Sequence, residues 1–217
     1  MNDIKLIVFD WDVTLLDSTH LIASSIQKTC RDLSLPIPSD EQAKFVIGMG
    51  LMESIDHIVP NLNKHQLPHF IEVFRSHYLP NEAKLTLFSG VRELLDLLNL
   101  NNKLLAVATG KPRQGLDRSI KHNNLEGVFT TSRCADESRA KPHPEMLEYL
   151  MDRVGVYPHE TLMVGDTTHD LAMARHAKTH AVAVSYGAHS EQLLHTEPHL
   201  FMAKSIKDLT IWFSDCF

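Results

Sequence analysis

The fold is decided by the stretch KLIVFDWDVTL, residues 5–15, in which an apolar run stops abruptly at two carboxylates. Residues 6–9 are apolar without alternation, a pattern typical of a parallel strand that is buried on both faces. Asp10 would then lie at the carboxyl end of that strand. Open α/β sheets bind their ligands in the crevice outside the carboxyl ends of their strands, so this position suits a functional site. An acidic turn that merely ends a strand is the alternative, since Asp is common in turns.

The same stretch resembles the first motif of the haloacid dehalogenase-like hydrolase superfamily. That motif consists of an apolar strand, Asp, any residue, Asp, any residue, Thr or Val, and an apolar residue, and Asp10, Asp12, Thr14 and Leu15 match it. Many members have glycine where this chain has Val13. The difference concerns the flexibility of the loop and leaves the reacting groups in place.

The composition is that of an ordinary globular protein. With 217 residues, 43% of them hydrophobic, the chain can bury one sizeable core with or without a small satellite domain. Its 27 acidic and 21 basic residues give a net charge of −6, which argues against a nucleic-acid partner. The amino terminus lacks the apolar segment of a signal peptide, and no run is long enough to span a bilayer. We therefore expect a cytoplasmic protein without a membrane partner.

The cysteines and histidines show no spacing typical of a disulfide framework or a zinc site. Cys30, Cys134 and Cys216 are few and far apart, as expected of reduced thiols in the cytosol. His65 and His69 lie four apart on an expected helix. A metal pair is conceivable there, but no Cys or acidic partner stands at ligand spacing, and two surface residues are the simpler interpretation.

Residues 16–83 form a helical block without a convincing strand. Apolar residues repeat at helical spacing from residue 22 to residue 33, and the stretch PIPSD, residues 36–40, then breaks the chain and offers a cap for the next helix. Further helices are expected over residues 51–58 and from residue 67 to Pro80. We therefore predict a four-helix satellite inserted just after the first strand.

Beyond residue 84 the pattern alternates between helix and strand, which indicates a parallel sheet with helices on its faces. Further strands are expected over residues 103–108, 127–129, 161–164 and 180–184. Helices are expected over residues 91–98 with Ser89 as the cap, and near residues 112–122, 146–154, 168–177 and 206–213. The predicted fold class is α/β, with a Rossmann-like parallel sheet and an inserted helical block.

Polar residues follow the expected strand over residues 103–108 and precede the expected helix near residues 146–154. The hydroxyl of Thr109 and the amides of Gly110 and Lys111 can hold phosphate oxygens, although a turn cap is the commoner role of such a threonine. Lys141 precedes Pro142, which disfavours helical geometry at the lysine. A cation before a helix costs about 0.3–1 kcal/mol unless an anion is nearby. A bound phosphate would be that anion, and a solvated lysine is the alternative.

Asp166 and Asp170 form a second acidic pair, in the stretch GDTTHD, residues 165–170. Asp166 ends an apolar strand and Asp170 lies one turn later in the next helix, so both carboxylates can point into one crevice. Two adjacent carboxylates repel, and one is pushed toward neutrality unless a cation lies between them. Mg²⁺ takes oxygen ligands and commonly bridges carboxylates to a substrate phosphate. Stabilisation of the helix amino terminus by Asp170 is the alternative.

Together these groups match all four motifs of the superfamily in order, and the resemblance covers essentially the whole chain. The helical block is similar to the small cap of the phosphoglycolate phosphatase-like branch. The resemblance thus implies a core of residues 1–15 and 84–217 and a helical cap domain of residues 16–83. Gly110 stands where many relatives have asparagine, and the stretch FSGV, residues 88–91, replaces a commoner proline-containing helix entry. Neither difference removes a catalytic group.

The resemblance implies a magnesium-dependent phosphatase that acts on a small phosphorylated metabolite, with phosphoglycolate as the candidate of that branch, and that is a monomer or weak dimer. The implied catalytic groups are the nucleophile Asp10, which forms an aspartyl-phosphate, the acid and base Asp12, and the charge-stabilising Thr109 and Lys141. The implied substrate-binding residues are Thr14, Thr109, Gly110 and Lys141. The implied metal ligands are Asp10, Asp12 through its backbone carbonyl, Asp166 and, as outer support, Asp170.

Three rival functions are weaker. Dehalogenases of the superfamily lack a carboxylate at the position of Asp12. Phosphomutases of the β-phosphoglucomutase type carry arginine at the position of Leu51, where it binds a second phosphate. A regulatory phosphate-binding module without turnover would usually have lost one of its catalytic groups, and all are present here. Whether Arg75, Lys111 and Arg113 line the mouth of the site or lie on the surface is left open by the sequence.

Overall fold

A computed structural model of the chain describes residues 3–63 and 65–216. Its centre is a sheet of six parallel strands in the order β3-β2-β1-β4-β5-β6. The strands are β1 (Leu6–Phe9), β2 (Leu104–Thr109), β3 (Thr131–Cys134), β4 (Thr161–Gly165), β5 (His180–Val184) and β6 (Met202–Ala203). This confirms the predicted Rossmann-like α/β class. Successive strands lie on one side of β1 as far as β3 and on the other side of β1 from β4 onward. In such a sheet the ligand crevice lies outside the carboxyl ends of the two strands where this direction changes, β1 and β4.

Helices cover the sheet and form the inserted block. They are α1 (Thr19–Asp32), α2 (Asp40–Phe45), α3 (Leu51–Ile58), α4 (Leu67–Glu82), α5 (Val91–Leu100), α6 (Arg113–His122), α7 (Glu145–Val154), α8 (Thr168–Ala177), α9 (Glu191–Leu194) and α10 (Ile206–Cys216), with a 3₁₀ helix at Pro158–Glu160. In the described part of the chain, no helix is long and apolar enough to cross a membrane.

Strand β1 is apolar throughout because both faces of the sheet are covered. Ile7 and Phe9 point into a cluster formed with α5 and α10, whereas Leu6 and Val8 point into a second cluster formed with α7 and α8. All four side chains are fully buried. Side chains alternate between the faces of a strand, so a strand between two apolar layers has no position for a polar residue.

The helices α1–α4 have an apolar cluster of their own, which includes Ile26, Cys30, Val46 and Phe70. Ser39 caps α2 with a capping box, because its hydroxyl accepts a hydrogen bond from the amide of Gln42 at 3.2 Å. The predicted cap within residues 36–40 is thus present. The segment from α1 to α4 thus has an apolar cluster distinct from the two clusters that cover the sheet.

Three local predictions are wrong. The third strand in chain order lies at Thr131–Cys134 and not at residues 127–129, because this edge strand is polar and half-buried and lacks an apolar run. Helix α5 is preceded by Gly90 in left-handed geometry, and no side chain caps it, so Ser89 is not the cap. Pro80 lies inside the last turn of α4, which ends two residues later at Glu82.

Candidate active site

The carboxyl ends of β1, β2 and β4 bring three polar residues to one edge of the sheet. Phe9 pairs with Val107 of β2 and with Val164 of β4, so Asp10, Thr109 and Asp166 follow these positions within two residues. All three side chains are buried. The apolar strands therefore hold the polar groups in a crevice that is largely closed to solvent.

Lys141 reaches the same edge from the loop that precedes α7. Its Nζ lies 2.7 Å from Oδ1 of Asp10 and 2.7 Å from Oδ1 of Asp170. Burial alone would lower the pKa of Lys141, but the attraction of the two carboxylates outweighs it and raises this pKa above its ordinary value. The ammonium group is therefore charged. The sequence predicted a bound phosphate as the anion beside this lysine, whereas the anions in the structure are two of the chain's own carboxylates. The alternative of a solvated lysine is wrong, because the side chain is buried.

Asp170 has two roles that the sequence presented as alternatives. One of its oxygens contacts Lys141, and the other accepts hydrogen bonds from the amide of Thr167 at 3.2 Å and from its hydroxyl at 2.7 Å. Thr167 and Asp170 thereby form a capping box that begins α8. The cap fixes the carboxylate, so the start of the helix also positions a charge in the crevice.

Three carboxylates converge in this crevice. Asp10, Asp166 and Asp170 offer oxygen atoms that all lie within 4.8 Å of one another. Asp166 is held by the hydroxyl of Thr14 at 2.7 Å and by the amide of Ala188 at 2.8 Å. Thr14, which the resemblance implies as a substrate-binding residue, thus directs its hydroxyl proton at Asp166.

The electrostatics of these carboxylates fit a bound cation. Burial, with Asp170 adding to it, raises the pKa of Asp166 to about 7. Burial also raises the pKa of Asp10 well above its ordinary value, although Lys141 opposes the shift. Oδ2 of Asp10 is buried and has no hydrogen-bond partner among the described residues. An orphaned carboxylate oxygen beside two more carboxylates is a donor set that a hard divalent cation would satisfy.

The carboxylate of Asp12 lies outside this cluster and faces a lysine. Both of its oxygens lie 3.3 Å from Nζ of Lys111, and Oδ1 also accepts a hydrogen bond from Ser18 at 2.9 Å. Lys111 further donates to the hydroxyl of Tyr78 at 2.7 Å and lies 3.6 Å from Glu82. Tyr78 and Glu82 belong to α4, so Lys111 joins the loop after β2 to the helical segment.

Gly110 is a point of close approach between the sheet and the helical segment. A Cβ atom at this position would lie 2.6 Å from the carbonyl oxygen of Met49 and 3.1 Å from that of Gly48. A side chain would therefore require the segment to move. The asparagine that the resemblance leads one to expect at this position would not fit without such a movement.

Val13 has a left-handed backbone geometry, which glycine adopts more readily than valine. Its φ angle is 67° and its side chain is fully buried. A β-branched residue in this left-handed region is strained. The difference from the first motif, expected to affect loop flexibility only, thus carries a conformational cost.

The eight predicted site residues come together at this edge of the sheet, and Arg113 lies apart from them. Arg113 is directed away from it, with its guanidinium 2.8 Å from Glu137 and 3.3 Å from Asp117. Arg75 and Lys111 line the cavity next to the site. The eight residues that come together are Asp10, Asp12, Thr14, Thr109, Gly110, Lys141, Asp166 and Asp170.

Sequence reasoning missed Ser18, Tyr78 and Ala188. A signal existed for Ala188, because it follows the predicted strand 180–184 and so lies at the same sheet edge as the other strand ends. Tyr78 lies within the helix expected from residue 67 to Pro80, and only the fold reveals that its hydroxyl contacts Lys111. Ser18 gave no signal beyond its place near the first motif.

Comparison with known proteins identifies the family to which this chain belongs. A family model of haloacid dehalogenase-like hydrolases matches residues 7–184. A Dickeya dadantii protein named "Probable phosphatase IndB" is 35% identical over 204 residues, 91% of this chain and 88% of that protein. A "Phosphoglycolate phosphatase" of Mannheimia succiniciproducens is 31% identical over 196 residues, 86% of this chain and 88% of that protein. The crystal structure of a "predicted phosphoglycolate phosphatase" from Haemophilus somnus has a TM-score of 0.88 and 26% identity, over 98% of this chain and 99% of that chain. The chain therefore belongs to the haloacid dehalogenase-like hydrolase family.

Proposed function

We propose that this protein hydrolyses a small-molecule phosphate monoester with Mg²⁺ and through an aspartyl-phosphate on Asp10. The chain is a phosphatase of the haloacid dehalogenase-like family, and the two relatives named above carry phosphatase names. The observation that carries the proposal concerns Asp10. Lys141 holds one of its oxygens at 2.7 Å, while the other is buried and without a hydrogen-bond partner among the described residues.

The first step transfers the phosphoryl group to the enzyme. A carboxylate oxygen of Asp10 forms a bond to phosphorus while the ester P–O bond breaks, which splits one difficult hydrolysis into two easier steps. Asp12 donates its proton to the oxygen of the leaving alcohol. The hydroxyl of Thr109 and the ammonium group of Lys141 stabilise the negative charge on the phosphoryl oxygens.

The second step returns the enzyme to its starting state. Asp12, now ionised, takes a proton from a water molecule, whose oxygen attacks phosphorus and displaces Asp10. Inorganic phosphate leaves, and the nucleophile is regenerated. Lys111 and Ser18 contact the Asp12 carboxylate, and these contacts keep it oriented in both steps.

Asp10, Asp166, Asp170 and the backbone carbonyl of Asp12 would hold Mg²⁺. When bound, the ion supplies positive charge that offsets the repulsion between the Asp10 carboxylate and a phosphate dianion. Thr14 and Ala188 orient Asp166 toward that position.

Residues 16–83 serve in this proposal as a cap domain over a core of residues 1–15 and 84–217. The separate apolar cluster of α1–α4 supports the division, and so do the contacts of Lys111 with Tyr78 and of Gly110 with Met49. Phosphoglycolate is a candidate substrate because a relative carries that name. Leu51, which lines the cavity, argues against a mutase that needs a cation there.

The test is phosphate release from a panel of phosphate monoesters, with Mg²⁺ and then with excess chelator. We expect release by the wild type that requires the metal and is lost in Asp10→Asn. Asp152→Asn on the exposed face of α7 is the matched control, and we expect it to keep full activity. Metal-independent release, or turnover by Asp10→Asn, would contradict the proposal.

A further inference from the structure

A cavity of about 430 Å³ leads from the catalytic residues into the helical segment. Its floor is polar and includes Asp10, Asp12 and Thr109. Its walls are apolar and come from α1, α4 and the residues around α2 and α3. The wall residues that matter here are Ile22, Ile26, Val46, Met49, Phe70 and Phe74.

The charged side chains of the cavity already have partners or lie at its exposed edge. Lys111 contacts Asp12 and Glu82, and Arg118 pairs with Glu82 at 3.0 Å. Arg75 is exposed. Arg75 is therefore the one cation among the described lining residues for which no ion-pair partner is named, and its exposure keeps its charge in contact with water. A carboxylate on the leaving alcohol that lay deep among the apolar walls, beyond the reach of Arg75, would be buried without a partner, which is costly.

The size of the cavity also disfavours a small, polar leaving alcohol. Pockets of roughly 300–1,000 Å³ take drug-sized organic ligands. A two-carbon alcohol would leave most of these apolar walls against water, whereas a larger apolar group would cover them. Burial of apolar surface is favourable in proportion to its area, so a larger apolar leaving group should bind more tightly in this cavity.

We propose that the preferred substrates are phosphate monoesters of bulky apolar alcohols, either aromatic or medium-length alkyl, in preference to phosphoglycolate. This inference rests on the proposed phosphatase function. The phosphate would lie at Asp10, and the apolar part of the alcohol would fill the cavity between Met49, Phe70 and Phe74. The chain thus combines a phosphatase site with a hydrophobic specificity pocket.

The test uses n-alkyl phosphates from ethyl to octyl, phenyl phosphate and phosphoglycolate, all with Mg²⁺. For the wild type, kcat/KM is measured. For the Asp10→Asn variant, the Kd of the same compounds is measured by calorimetry, which gives a readout independent of turnover. We expect affinity and kcat/KM to rise roughly three- to fourfold per added methylene until the cavity is full, and phosphoglycolate to bind more weakly than butyl phosphate.

Two variants locate the effect. Met49→Gln keeps the length of a wall side chain but adds a polar amide, and we expect it to flatten the dependence on chain length. Met52→Gln makes the same change at an exposed position of α3 outside the cavity, and we expect it to keep the dependence. Circular dichroism establishes that both variants fold.

The outcomes separate the pocket from the chemistry. A rise in affinity with chain length that Met49→Gln removes supports the hydrophobic pocket. If the wild type shows this rise in affinity but releases no phosphate, only the phosphatase function is contradicted. A flat dependence of Kd on chain length, or tighter binding of phosphoglycolate than of butyl phosphate, overturns the pocket even where phosphate is released.

Discussion

The ammonium nitrogen of Lys141 lies 2.7 Å from Oδ1 of Asp10, and both side chains are almost completely buried. Asp170 contacts the same nitrogen at 2.7 Å, and Asp166 completes a group of three carboxylates. When all are ionised, three carboxylates and one ammonium group leave a net charge of 1 − 3 = −2 in the crevice. A divalent cation carries the charge that would offset it, so the charge balance of this site agrees with the proposed metal.

Replacement of Lys141 by methionine tests its part in this balance. Lys141→Met keeps the length of the side chain and removes the charge, so Asp10 and Asp170 lose their common partner. We expect kcat to fall by about 10²–10³-fold and the metal-free protein to lose ~3–5 kcal/mol of unfolding free energy. Phosphate release and urea unfolding give the two values. Lys121→Met at the exposed end of α6 is the control, and an equal effect in both variants would rule out a special role for Lys141.

Substitution of Gly110 by alanine tests the contact between the sheet and the helical segment. The new Cβ would lie 2.6 Å from the carbonyl oxygen of Met49, so the segment must move away from the site. We expect kcat/KM to fall by about 10- to 100-fold, as for a small misplacement of groups around a substrate. Gly155→Ala is the control, because a Cβ there meets nothing within 4 Å. Gly155 has a φ of 71°, so alanine should lower stability there and leave kcat/KM unchanged. Unchanged kinetics in Gly110→Ala would show that the contact is not needed.

The backbone strain at Val13 predicts an unusual order of stability. Val13→Ala and Val13→Gly both lose buried methyl groups, but only glycine adopts a φ of 67° without a Cβ penalty. We expect the glycine variant to be more stable than the alanine variant by ~1 kcal/mol in urea unfolding. At Val8, in the regular strand β1, the order should be reversed, with alanine above glycine. The same order at both positions would contradict the strain.

A pH-dependent contribution to stability is expected from Glu137. Hydrogen bonds from Arg113 lower the pKa of Glu137 below its ordinary value of 4.5. A carboxyl group whose folded pKa is depressed stabilises the fold above its unfolded pKa, and this contribution disappears as the pH falls through the folded value. Solvent screens this partly exposed pair, so the contribution at pH 7 is ~1 kcal/mol or less.

The measurement is the difference in unfolding free energy between the wild type and Glu137→Gln as a function of pH. The difference should be present at neutral pH and vanish in acid, well below the ordinary pKa of 4.5. Glu126→Gln, at an exposed position of the loop after α6, should show no such trend. If the difference in unfolding free energy between the wild type and Glu137→Gln grew on acidification, the lowered pKa of Glu137 would be contradicted.

Much of the fold was predictable because parallel strands have a simple signature. The apolar run of β1 and the polar residues at the strand ends follow from burial on two faces and from the shared edge of a parallel sheet. Helix α8 begins at Thr168 as expected, since Thr167 and Asp170 form a local capping box. A capping box depends only on residues that are close in sequence, so the sequence alone can predict it.

The remainder depends on contacts between distant parts of the chain. Strand β3 is polar because it lies at a sheet edge, which no local pattern reveals. The contact of Lys111 with Asp12 spans 99 residues, and the approach of Gly110 to Met49 joins two segments whose packing is a tertiary property. The apolar cavity likewise arises from four helices together, so the sequence left the alcohol part of the substrate open.

The most direct test of the central claim is to trap the phosphoryl group on Asp10. A phosphate monoester that the wild type hydrolyses is mixed with the enzyme and Mg²⁺, the reaction is stopped with acid within milliseconds, and the digested protein is analysed by mass spectrometry. With p-nitrophenyl phosphate, whose leaving group needs no proton, Asp12→Ala lacks only the base for the second step and should increase the trapped fraction. We predict the added mass of one phosphoryl group on the peptide that contains Asp10, and its absence in Asp10→Asn. Rapid turnover with an unmodified Asp10 peptide in both the wild type and Asp12→Ala would contradict the account.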